Sequence, residues 1–261
     1  MSPNPSAEHD QAILEQFTLQ AVPFSQATSM KDGAAIALLV DAAQAKPTDC
    51  SLDVACGPGL VALSFARVLA HATGIDATPA MLTRAGQLQA EAGLVNVRWD
   101  LGSVYALPYP DESFDIVTSR FAWHHLEHLA QSLAEMRRVC RQAGRIIVCD
   151  AVACDHPAKA LAFNEMERTR DPSTTQFLTE LQLLAVFAEQ QLPIDSINRY
   201  RVPVELERLM GASFPHEGGT QRVRTMILES LNADELGMGT TVINGTVRFA
   251  YSAVIAMSRK R

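Results

Sequence analysis

The sequence predicts an α/β fold, a doubly wound parallel sheet flanked by helices, and three observations carry that expectation. The apolar run Leu52-Asp53-Val54 leads through Ala55-Cys56 into Gly57-Pro58-Gly59, and then into a helical pattern at Leu60, Leu63, Phe65, Val68 and Leu69. That is a strand, a tight turn and a helix start in succession. A second acid, Asp76, closes the next strand 23 residues beyond Asp53, where an acid in such a unit accepts from a ribose hydroxyl pair. Strands and helices then alternate, which builds a parallel sheet with helices on both faces.

Taken in order, residues 1–7 carry Pro and Ser and are expected to be disordered. Ile13, Leu14, Phe17 and Leu19 suggest a short amphipathic helix running into Ala21-Val22-Pro23-Phe24. This stretch has no place in a minimal sheet-and-helix core, so residues 1–30 read as a cap over the ligand end of the sheet. Phe17 and Phe24 either offer aromatic surface to a ligand or anchor the helix, and both readings stay open. A helix is expected over 31–45, ended by Pro47 and Asp49. There follow a strand at 50–54, a helix at 60–70, a strand at 72–76, a helix at 79–92 stopped by Gly93, strands at 95–99 and 114–118, a helix at 127–141 and a strand at 145–150. Leu107-Pro108-Tyr109-Pro110-Asp111 must be a rigid loop, because its two prolines remove donors and fix φ. Beyond Asp150 a helix over 157–170 is broken by Asp171-Pro172-Ser173. A second helix over 176–191 is expected to bury Leu178, Leu181, Leu184, Ala185 and Phe187. A strand at 194–204, a helix at 217–231, a hairpin turn at Asn244-Gly245 and a final antiparallel strand at 247–257 complete the chain.

Composition narrows the function. The chain has 261 residues, 48% hydrophobic and 20% charged, enough to bury a sizeable core. Its formal charge of −7 argues against a nucleic-acid or anionic-membrane partner, since phosphate binding needs clustered Lys and Arg. The five cysteines, Cys50, Cys56, Cys140, Cys149 and Cys154, show no C-x-x-C spacing, so no metal site and no disulfide framework is expected. Reduced thiols, an N-terminus without a basic and apolar leader, and no apolar run of about 18 residues point to a cytoplasmic protein without a membrane span. A homodimer is left open.

Glycine at the turn lets backbone N–H groups approach a ligand, and Asp53 at the strand end adds an acceptor that suits an amine better than a pyrophosphate. A strand-end acid capping the next helix is the plainer alternative. The motif D-V-A-C-G-P-G is followed by T-G-I-D-A-T-P-A-M-L, A-L-P-Y-P-D-E-S-F-D-I-V, H-H-L and R-V-C-R-Q-A-G-R-I-I-V. In that order these resemble the class I S-adenosylmethionine-dependent methyltransferases, and within them the small-molecule branch that includes the quinone C-methyltransferases. The resemblance covers residues 51–192. It implies a Rossmann-like seven-stranded sheet, last strand antiparallel, over 31–261, with an insertion at 155–175 after strand five joining the N-terminal cap. The implied cofactor is S-adenosylmethionine. Asp53 would contact its amino group, with the backbone of Ala55, Gly57 and Gly59 around it. Asp76 would accept from both ribose hydroxyls, and Ala77 and Met81 would flank the adenine, although Met81 reads equally well as core. Ser103 and Val104 would lie by the adenine, Ser103 standing where relatives carry Asp, and the backbone near Arg120 would touch the cofactor. Arg141-Gln142-Ala143-Gly144 replaces a Lys-Pro-Gly-Gly turn, with a structural consequence only.

The segment Arg120-Phe121-Ala122-Trp123-His124-His125 lies where ligands bind in such sheets. His125, or else His124, is the candidate general base, against a structural turn in which a ring bonds the backbone. Trp123 with Phe17 and Phe24 would line the substrate site. Arg168 or Arg170 would hold an anionic substrate oxygen, unless this charge alternation is a solvated helix face. The expected activity is methyl transfer to a small, aromatic or otherwise planar metabolite at O, N or C. The rival is a non-methylating elimination, rearrangement or hydrolysis that uses the sulfonium charge alone. A nucleic-acid base is disfavoured, because Ser119-Arg120-Phe121-Ala122 stands where an Asn/Asp-Pro-Pro-aromatic motif would be.

Overall fold

The computed structural model describes residues 5–26 and 33–261. In chain order the elements are α1 (Pro5–Gln26), α2 (Gly33–Ala42), β1 (Cys50–Val54), α3 (Leu60–Ala66), β2 (His71–Asp76), α4 (Pro79–Ala92), β3 (Val97–Leu101) and β4 (Phe114–Arg120). A 3₁₀ turn (Trp123–His125), α5 (Leu129–Val139), β5 (Cys140–Val152), α6 (Pro157–Arg170), α7 (Glu180–Glu189) and β6 (Ile194–Glu205) follow. Then come α8 (Leu206–Gly211), α9 (Gly219–Ala233), β7 (Thr241–Ile243) and β8 (Thr246–Arg259).

Seven strands run in the order β3-β2-β1-β4-β5-β8-β6, and the short β7 pairs with β8 as an eighth. Strands β1 to β5 are mutually parallel, and β8 runs antiparallel to both β5 and β6. This is the expected doubly wound sheet with an antiparallel last strand. The hairpin has the expected cause, with Asn244 at φ 51° and Gly245 at φ 75°, the paired positive values of a tight two-residue turn. Order reverses between β1 and β4, which opens a crevice at the carboxyl ends of those strands. One cluster of buried side chains, including Phe65, Ile116 and Ile147, packs on one face of the sheet, and another, including Leu52, Val117 and Ile146, packs on the other. Alternating residues of β4 and β5 thus feed both layers, while Leu52 and Val54 of β1 feed the second.

Three expectations change. The N-terminal helix is far longer than residues 13–19 suggest and already includes residues 5–7; residues 1–4 lie outside the described residues. Pro23 is tolerated within its last turn. The start of the helix expected at 31–45 also falls outside them, and its described part ends at Ala42. The helix expected over 176–191 begins only at Glu180, behind a Thr179 capping box. Leu178 belongs to the extended segment before it. Phe187 is buried as expected, but its buried companion is Leu183, and Leu181 is 70% exposed.

No helix among the described residues is long and apolar enough to cross a membrane.

Candidate active site

The carboxyl ends of β1, β2 and β4 open into a cavity of about 280 Å³ roofed by α1. Its floor is the glycine turn. Ala55 (φ 53°), Gly57 (φ 52°) and Gly59 (φ 80°) take left-handed backbone within five residues, and the chain is bent tightly enough for Gly59 N to donate back to Cys56 O at 2.9 Å. Gly59 does not reach the cavity wall. A Cβ there would meet the Trp99 ring at 2.2 Å, so this glycine is required by packing beneath the turn. Ala55 and Phe121 hold left-handed φ without being glycine, and both line the cavity. Backbone strain of about 1–3 kcal/mol at each is maintained by the surrounding sheet, as at many ligand sites.

Two acids face this space. Asp76 accepts from the backbone N–H groups of Gly57 and Thr78, each at 2.8 Å, which ties the glycine turn to the end of β2. Burial raises its carboxyl above the ordinary range, against the pull of those N–H groups. Asp53 is 2% exposed and accepts from Thr118 Oγ1 at 2.9 Å. Burial pushes its carboxyl up to about 7, opposed by the Thr118 bond and the Arg120 charge. A buried acid in that condition gains from a cationic partner. Arg120 lies with its guanidinium 4.3 Å from the Phe121 ring centroid, a cation over an aromatic face. Asp53, Ala55, Gly57, Asp76, Ala77, Met81, Ser103, Val104, Arg120, Phe17 and Phe24 all line this cavity. Met81 satisfies both of its readings, being 1% exposed and part of the wall.

A second cavity of about 120 Å³ adjoins the first, the two sharing Phe24, Phe121 and His125 as walls. His125 is 5% exposed, and α1 is fastened over it. Phe17 meets its ring edge-on at 4.8 Å, and His9 Nε2 donates to its carbonyl at 2.7 Å. Its Nδ1 lies 3.1 Å from the Ser173 carbonyl, which only accepts, so Nδ1 carries the proton. Ser173 Oγ, also 3.1 Å from Nδ1, donates onward to Asp171 at 2.6 Å. Burial, and then the neighbouring His124, lower the imidazole of His125 to about 3, so it is neutral.

His124 reaches only the smaller cavity. Its Nδ1 is 2.7 Å from Asp150, its backbone N–H donates to the same carboxylate at 3.0 Å, and its ring stacks on Phe177 at 4.1 Å. The pair therefore divides, with one ring built into the turn and the other shared between the cavities. Trp123 lines neither. It is 2% exposed and stacked against Phe187 in the core, because the 3₁₀ turn rotates it to the opposite side from His125. Arg168 is exposed and also lines neither, whereas Arg170 lines the second cavity. Positions 167 and 170 lie one turn apart on the inward face of α6, whereas Arg168 is turned about 100° away from Glu167.

Sequence reasoning missed Tyr105, which lines the larger cavity, Thr118 at Asp53, and Ser173 with the accepting carboxylate of Asp171. Asp171-Pro172-Ser173 reads in one dimension only as a helix stop, and only the fold brings it to His125.

Comparison with known proteins adds independent support. Residues 52–148 match the methyltransferase domain family. The chain is 30% identical to the uncharacterized methyltransferase YcgJ of Bacillus subtilis over 253 residues, covering 92% of this chain and 98% of YcgJ. The crystal structure of YcgJ superposes with a TM-score of 0.80 at 26% identity, covering 87% of this chain and 98% of that one. A ubiquinone/menaquinone biosynthesis C-methyltransferase, UbiE of Dinoroseobacter shibae, is 36% identical over 117 residues, 43% of this chain and 46% of UbiE. With a relative matched over nearly its whole length and the glycine turn and both acids in one cavity, the chain belongs to the class I S-adenosylmethionine-dependent methyltransferases.

Proposed function

We propose that this enzyme methylates a small, planar, largely apolar metabolite held between α1 and the sheet, with Phe17 and Phe24 as aromatic walls. The observation that carries the reading is the pair of cavities meeting at Phe24, Phe121 and His125. A donor in the larger one and an acceptor in the smaller one would face each other across that junction. The residues present suit S-adenosylmethionine. The buried acid of Asp53 would be relieved by the cofactor's amino group. Asp76, held by two N–H groups, keeps acceptor capacity for a ribose diol. Ala77, Met81, Ser103 and Val104 offer a narrow, mostly apolar slot for a purine.

When bound, the cofactor supplies an electrophilic methyl on a sulfonium. Everything else falls to the chain. The floor and the α1 roof hold the two reactants in line and exclude water. His125 sits at the junction as the group able to take a proton.

The test is calorimetric binding of S-adenosylmethionine, followed by mass spectrometry of cofactor and acceptor over a panel of planar aromatic compounds. Micromolar binding with the demethylated cofactor and a methylated acceptor appearing together is expected. Acceptor conversion without cofactor consumption would replace this reading with the non-methylating alternative, and absence of binding would end both.

A further inference from the structure

The second cavity carries information about charge as well as shape. Its polar groups come from separate elements: Gln20 on α1, His124 and His125 on the 3₁₀ turn, Glu167 and Arg170 on α6, Asp171 just beyond, and Tyr251 on β8. Its one guanidinium is already engaged. Arg170 donates to Glu167 through Nε at 2.9 Å and Nη2 at 2.8 Å. The Tyr251 hydroxyl donates to the other oxygen of Glu167 at 2.6 Å. Asp171 is a second carboxylate, held by the Ser173 N–H and hydroxyl and by Gln20 Nε2 at 2.8 Å. The walls therefore hold two carboxylates against one cation, and an anionic acceptor entering them would be repelled.

The same network orients His125. Ser173 occupies Nδ1–H, and Nε2 has no partner among the described residues, so the cavity wall presents an acceptor nitrogen. We propose that the acceptor bound here is an uncharged planar hydroxyl compound, phenolic or enolic, whose proton is received by Nε2 of His125, with Ser173 and Asp171 as the positioning residues. The inference rests on the proposed methyl transfer. In the balanced step the acceptor oxygen forms its bond to the methyl carbon. The carbon–sulfur bond breaks with its electron pair left on sulfur, and the hydroxyl proton passes to Nε2. An alkylated hydroxyl is a far stronger acid than imidazolium, so even the weakly basic buried ring at His125 takes that proton. An alkylated neutral aromatic amine would give it up less readily.

Two measurements test this without relying on turnover. First, 2-naphthol and 2-naphthoate are titrated by calorimetry into the protein saturated with S-adenosylhomocysteine, for wild type and Glu167→Gln. The expected result is at least tenfold tighter binding of the naphthol to wild type, and a gap narrowed at least fivefold in the variant, where the carboxylate excess is gone. Should Glu167→Gln fail to fold, Asp171→Asn removes the other charge and must narrow the gap likewise. Equal or tighter binding of the naphthoate to wild type, an unchanged gap in the variant, or no binding of either compound overturns the proposal. Second, the ring nitrogens of His125 are read by ¹⁵N NMR, assigned against His125→Gln. A protonated Nδ1 with bare Nε2 is expected; Ser173→Ala keeps the backbone carbonyl and therefore this tautomer, with a shifted Nδ1–H resonance from the lost hydroxyl, and an Nε2–H tautomer in wild type overturns the proposal. Failure of S-adenosylhomocysteine to bind at all would instead defeat the methyltransferase reading, so the two failures are distinct.

Discussion

The two halves of the site are built on different terms. The proposed cofactor side comes from one short stretch of chain: Asp53, Ala55, Gly57 and Asp76 lie on the β1-turn-α3-β2 unit and Ala77 directly follows it, with the Asp76 bond to Gly57 N–H at 2.8 Å joining the ends. The proposed acceptor side is assembled from α1, the turn after β4, α6 and β8, with partners such as Gln20 and Asp171 that are 151 residues apart. The first is a local motif that the parallel sheet merely supports. The second exists only after the whole chain has folded, so its contacts must be satisfied all together. Substitutions should therefore separate. On the cofactor side they should weaken ligand affinity without destabilising the fold, and on the acceptor side they should destabilise it as well.

The largest effect is expected from Arg170→Met, which leaves Glu167 buried without its ion pair. It should cost about 3–5 kcal/mol in denaturant unfolding. A loss under about 1 kcal/mol would break the contrast by showing that the acceptor side tolerates change as locally as the glycine turn. Next comes Asp76→Asn, expected to weaken S-adenosylmethionine binding by about 100-fold through loss of charge-assisted hydrogen bonds. Calorimetry reads this directly, and the unfolding midpoint should move much less than in Arg170→Met.

Asp53 sharpens the comparison through pH. Its carboxyl is raised to about 7 in the folded chain, above an unfolded value of about 3.9. The folded state holds that proton more tightly than the unfolded chain does. The stability it contributes is therefore full below pH ~4 and is lost as pH rises through about 7. Asp53→Asn should remove this slope and stabilise the unliganded protein at pH 8 by on the order of 2–4 kcal/mol, while weakening cofactor binding. Melting curves of both proteins at pH 5 and 8 check it, and identical pH slopes would refute the assignment. The smallest effect belongs to Arg168→Ala, one residue round the helix from the cavity face. It should change stability by less than about 0.5 kcal/mol and acceptor affinity by less than about twofold.

Legibility in the sequence follows the same division. The alternation of strands and helices, the glycine turn, Gly93 as a helix stop and the Asn244-Gly245 hairpin could all be read because each depends on periodicity, φ preferences and spacing within a few residues. Trp123 could not be placed. An aromatic beside two histidines looks like a ligand wall, and only the 3₁₀ geometry turns it into the core against Phe187. The buried face of α7 was not legible for a related reason, since several apolar residues surround this helix and only packing against the sheet selects Leu183 and Phe187 over Leu181.

By itself the sequence determined the α/β class, the position of the ligand turn, and Asp53 and Asp76 as its acids, because covalent spacing along one β-turn-α-β unit holds them together whatever the rest of the chain does. Tertiary structure alone decided that His125 rather than His124 stands between the cavities, that Arg170 rather than Arg168 faces inward, and that the Ser173 carbonyl meets Nδ1 of His125. Those outcomes depend on which side chains meet across segments far apart in the chain, and packing selects them only when all the segments are present.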